Sequence, residues 1–108
     1  MPLDETAIVI ADTAGVIHFW SKGAEASFGH STGNAVGHSL DLIVPVEFRE
    51  AHWAGFRRAV ASGTADAEGQ ANLFPVLCAD CEIKTISGKL RLLRRSDGTV
   101  MGCMVIFG

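Results

Sequence analysis

Ala11 to Gly29 reads A-D-T-A-G-V-I-H-F-W-S-K-G-A-E-A-S-F-G, and this stretch decides the fold. Ala7 to Ala11, just before it, is an apolar, β-branched run that predicts a strand. Asp12-Thr13-Ala14-Gly15 has turn chemistry, because Asp bonds its own backbone and Gly accepts a positive φ. Val16 to Trp20 resumes an apolar strand. Ser21 is placed to cap the helix that follows, where Ala24, Glu25, Ala26 and Phe28 suit a turn or two, and Gly29 to end it. The order is therefore strand, tight turn, strand, capped helix.

That order resembles the start of a PAS sensor domain, whose usual pattern is D-x-x-G-x-I-x-x-W-N-x-x-A-E-x-x-F-G-Y. Asp12, Gly15, Val16, Ile17, Trp20, Ala24, Glu25, Phe28 and Gly29 match it, with Ser21 in place of Asn and His30 in place of Tyr. The resemblance continues through Gly37, Pro45, Arg49, His52, Phe56 and Gly63, then Asp80, Leu92, Leu93, Asp97, Gly98 and Gly102. It spans nearly the whole chain. It implies an α+β PAS fold: a five-stranded antiparallel sheet with short helices and one long helix on one face. The family's pocket lies between sheet and long helix, and its occupancy signals to a partner.

The rest of the chain reads consistently. Thr32 to Gly37 suggests one loose helical turn, and Asp41 to Val44 an apolar link. Pro45 suits the first position of a helix, where its missing N–H costs nothing; that helix runs to about Ser62 and Gly63 stops it. After a polar loop from Thr64 to Gly69, Gln70–Cys78, Ile83–Arg94 and Val100–Phe107 read as strands, with turns at Ala79-Asp80 and Ser96–Thr99. Residues 1–108 are expected to form a single domain.

Composition narrows the function classes. The 108 residues carry a net charge of −3, against a general nucleic-acid or anionic-membrane binder. Arg57-Arg58 and Arg94-Arg95 read as solvated edges. No apolar run is long enough to cross a bilayer, and Met1 to Glu5 lacks the basic start of a signal peptide. With three cysteines, an odd number, the expected compartment is cytoplasmic. Cys78 and Cys81 lack the second pair that a zinc site needs, and Cys81 stands where relatives have Gly in an Asp-Gly turn. Gly29-His30-Ser31-Thr32-Gly33 matches G-x-S-x-G, but a helix rather than a strand precedes it, so no nucleophile elbow is expected. The chain is not expected to be an enzyme.

His52 is the candidate site residue. At about 100° per residue, Phe48, Gly55, Phe56 and Ala59 project on its side of the long helix. Gly55 leaves room beside the imidazole. In PAS domains of the oxygen-sensing histidine kinase type, which this R-x-x-H of Arg49 and His52 resembles, the histidine here is the proximal ligand of haem b. The resemblance thus implies haem b on His52, Arg49 available to a propionate, and gas or redox sensing. Phe48, Gly55, Phe56, Leu92, Met104 and Ile106 are the expected pocket residues. The alternatives are a structural His52 in a cofactor-free interaction module, or a pocket for a small organic ligand. The distal Arg of oxygen-sensing relatives is absent; Gln70 or Asn72 is the available donor.

The first and last strands are apolar on both faces, which leaves an apolar outer sheet face. Met1 to Thr6 is too short to cover it with a helix. A homodimer through that face is expected, or cover by a signalling output domain.

Overall fold

The computed structural model describes residues 5–66 and 68–108. The expectation about Met1 to Thr6 falls mostly on residues 1–4, outside the described ones. Five strands form one antiparallel sheet: β1 (Ala7–Asp12), β2 (Ile17–Trp20), β3 (Ala71–Leu77), β4 (Ile83–Arg94) and β5 (Val100–Phe107). Their order is β2-β1-β5-β4-β3, so β1 and β5 lie side by side within the sheet. Between β2 and β3 come α1 (Lys22–Phe28), α2 (Thr32–Ala35) and α3 (Arg49–Ser62), with 3-10 turns at Leu40–Leu42 and Val46–Phe48.

Local chemistry sets the element ends. Asp12 Oδ1 accepts from the Ala14 and Val16 amides and shapes the β1–β2 turn. Ser21 caps α1 by accepting from the Ala24 amide, and the same Oγ donates to the Thr6 carbonyl, tying the helix start to the edge of β1. Gly29 and Gly63 end α1 and α3 in the left-handed region, as expected. Several boundaries differ. Pro45 does not open the long helix; its carbonyl accepts from the Phe48 amide to close a separate 3-10 turn, and α3 begins at Arg49. The strand expected from Val16 starts at Ile17, because Val16 instead bridges to Ser39.

A bulge where Ile10 and Ala11 face β2 turns both Ile17 and Trp20 inward and leaves His18 and Phe19 outside. Beneath the inner face, Trp20, Phe28, Phe107 and Phe74 form a chain of edge-on aromatic contacts, with centroids 5.7, 5.0 and 5.9 Å apart. Ala7, Ile17 and Ala24 complete this densely packed end. Among the described residues, no helix is long and apolar enough to cross a membrane.

Candidate functional site

The other end of the inner face is open. The aromatic and aliphatic residues of α3 (Trp53, Phe56, Ala59 and Val60) face the core, yet no residue of the helix is fully buried. The reason is a cavity of about 910 Å³ between helix and sheet. Its floor is apolar: Val9 from β1, Phe74 and Val76 from β3, Leu90 and Leu92 from β4, Cys103, Val105 and Phe107 from β5. Phe48, Ala51, His52, Gly55, Phe56 and Ala59 form its roof, with Leu40 and Ile43 beside them. Size and apolar lining are those of a small-molecule site.

His52 sits in that roof. Its Nδ1 is buried without a hydrogen-bond partner, and no described residue bonds to either ring nitrogen. Buried polar atoms are rarely left unpaired, so this one is conspicuous. The ring lies edge-on to Trp53 at 4.9 Å and stacks with Phe56 at 6.0 Å. Burial holds the imidazole below its ordinary pKa of 6.5, with Asp41 partly offsetting the shift. The neutral form is the one able to ligate a metal ion or accept a hydrogen bond. A Cβ added to Gly55 would meet nothing within 4 Å, so the space expected beside His52 is there.

Phe48, Gly55, Phe56 and Leu92 line the cavity with His52, as the sequence suggested. Three expected residues do not. Arg49 turns away: its Nε donates to the Val44 carbonyl and its guanidinium to the Asp41 carbonyl, which pins the chain before α3. Met104 and Ile106 lie on the opposite sheet face. Cys103 pairs with Ala11 and Leu92, Val105 with Val9 and Leu90, and paired residues share a face. From Cys103 to Phe107 the odd-numbered residues of β5 therefore point inward, whereas the bulge opposite Leu93 and Arg94 leaves Met101 exposed and Val100 buried. Gln70 and Asn72 are exposed and outside the cavity lining, so neither is a distal donor in this arrangement.

Three residues in or beside this site were not anticipated. Trp53 Nε1 donates to Asp41 Oδ1 at 2.7 Å, and its six-membered ring packs on Gly15 so closely that a Cβ there would clash with it. Gly15, with φ of +78°, is required both by its turn and by this contact. Arg58 lines the cavity rim, whereas Arg57 does not. Its sequence signal was a three-residue spacing from Gly55, which puts the two on one side of the helix. Cys103 is a floor residue whose thiol burial pushes up to about 11, so it stays protonated. Cys81 has φ of +66°, the one positive φ among described non-glycine residues, as its place in an Asp-Gly-type turn implied.

The chain has the PAS-domain fold. It superposes on the PAS domain of a Colwellia psychrerythraea protein with a TM-score of 0.80, covering 96% of this chain and 85% of that one at 22% identity. It matches the quorum-sensing receptor PAS domain of Cronobacter turicensis, solved in complex with C12:0, with a TM-score of 0.74 over 95% and 91% of the two chains at 12% identity. In sequence, 58 residues are 36% identical to an uncharacterized protein of Azorhizobium caulinodans. That match covers 53% of this chain and only 8% of the relative. No protein-family model matches the chain.

Proposed function

We propose that this chain is a sensory domain rather than an enzyme, that its ligand occupies the cavity beneath α3, and that His52 holds haem b there. The carrying observation is an unpartnered, burial-neutralised imidazole in the roof of an apolar cavity. Haem iron, when bound, supplies a coordination position for a diatomic gas or a redox change. His52 would hold the iron, its ring kept in place by Trp53 and Phe56, while Gly55 leaves room beside it and Phe48 and Leu92 would keep water away. Arg49, occupied by the Val44 and Asp41 carbonyls, has no part in the site. Hemin added to purified protein should give a stoichiometric Soret band, lost in His52→Ala while far-UV circular dichroism is retained. A folded wild type with no such band overturns the haem assignment.

A second reading has its own support: a small organic amphiphile without iron. The Cronobacter turicensis domain was solved with C12:0, and the apolar floor here suits an alkyl chain equally well. The hemin titration separates the two readings. Signalling would pass to an output domain or partner protein. We also propose a homodimer through the outer sheet face, where Ile10, Met104 and Ile106 are half-buried and Phe19 is exposed. Ile8 shares that face by its pairing with Ile106, whereas Val105 points into the cavity. Ile10→Glu should halve the mass seen by light scattering at tens of micromolar; a monomeric wild type refutes the dimer.

A further inference from the structure

The cavity's polar groups are not spread evenly. Apart from His52, the side chains that bring charge or hydroxyls to the lining are Arg58, Ser62, Thr64 and Asp66, all from the C-terminal half of α3 and the loop beyond it. All four residues are exposed, so they form a rim open to water rather than an interior wall. The two hydroxyls are already engaged, since Ser62 Oγ bonds to the Thr64 hydroxyl, amide and carbonyl. Arg58 differs. No described residue pairs with its guanidinium, by ion pair or hydrogen bond, whereas nearby Arg94 is committed to Glu68 and Arg49 to backbone carbonyls. A free, planar, five-donor cation thus stands at the lip of a large apolar cavity. Its long side chain can lay its methylenes on apolar surface and turn its fork toward the opening.

We infer that Arg58 anchors a carboxylate at this rim, so the ligand is an apolar body bearing a carboxylate head. The inference rests on the reading of the cavity as the ligand site. The chemistry follows from the two environments. The apolar floor takes a hydrocarbon surface and offers its head group no hydrogen bonds. The rim supplies a guanidinium whose parallel N–H groups match the two oxygens of a carboxylate. Asp66 lies at the same rim and repels that charge; its short side chain limits its reach while Arg58 is free to swing away from it. The carboxylate has two possible sources, a haem propionate or a free aliphatic acid.

Isothermal titration of the full chain with decanoate, decanol, hemin and hemin dimethyl ester tests this. In whichever pair binds, the free acid should bind roughly three- to tenfold tighter than its neutral partner, the size expected for one exposed charge-assisted pair. Arg58→Gln should erase that difference and leave the neutral partner's affinity unchanged. Asp66→Asn should tighten the acid alone. Binding by the decyl pair identifies a free acid as the source, and binding by the hemin pair identifies the propionate. Equal affinity of acid and neutral partner, or an Arg58→Gln protein that still prefers the acid, overturns the anchor and leaves the cavity reading intact. Binding of none of the four overturns both.

Discussion

The two ends of the inner sheet face are built on opposite principles. At one end Trp20 and Phe28 are only 2% and 1% exposed, and Phe28 lies edge-on to both Trp20 and Phe107. At the other, α3 spans the sheet without fully burying a single residue, and a cavity takes the place of a core. Close packing gives stability, since every lost methylene leaves a void with no partner atoms. An unfilled cavity forgoes that stabilisation and keeps an apolar surface for a ligand. The packed end is the scaffold, and the open end is where the proposed ligand would act, its binding free energy holding α3 down.

Four variants test that division, from the largest effect to the smallest. Phe28→Ala should cost about 3–5 kcal/mol in urea unfolding, because it excavates the densely packed end. Gly15→Ala should cost about 2 kcal/mol, from a positive φ and the clash with Trp53, and should change Trp fluorescence as the indole is displaced. Phe56→Ala should cost only about 1 kcal/mol, because the ring is half-buried and borders space that is already empty. A loss as large as that for Phe28 would mean that the cavity end is packed after all.

The fourth variant concerns acid. The pKa of His52 is lowered in the folded state, so unfolded chains bind its proton first as pH falls below about 6.5. The stability that the neutral imidazole preserves above that pH is lost below it, down to the depressed folded value. His52→Phe should flatten this part of the stability–pH curve, without changing the acid loss near pH 4 from Asp12 and Glu68. Those carboxyls are held low by the Val16 amide with His18 and by Arg94, respectively. An unchanged slope between pH 6.5 and 5 in His52→Phe would show that the imidazole is not burial-neutralised.

Much of this was legible in the residues because it depends on local chemistry. The Asp12–Gly15 turn, the Ser21 cap, the stops at Gly29 and Gly63 and the limits of β4 and β5 each follow from neighbouring residues' backbone demands. That Phe48, Gly55 and Phe56 share a face with His52 followed from helical spacing, and the candidate role of His52 from its resemblance to haem-binding PAS domains. The face of β5 did not. Val100 to Phe107 is apolar at nearly every position, so a period of two carries no information on direction. Only the pairing of Cys103 with Ala11 and Leu92 turned Val105 and Phe107 inward and Met104 and Ile106 outward. Tertiary structure likewise took Arg49 from the pocket, because the carbonyls of Asp41 and Val44 lie within reach of its guanidinium only once the chain has folded back. It set Trp53 against a glycine thirty-eight residues earlier in the chain. By itself the sequence determined the turns, the caps and the apolar stripe around His52, since these are interactions between near neighbours. The cavity, its floor and its charged rim were decided by tertiary structure, since they exist only where strands and helix distant in sequence meet.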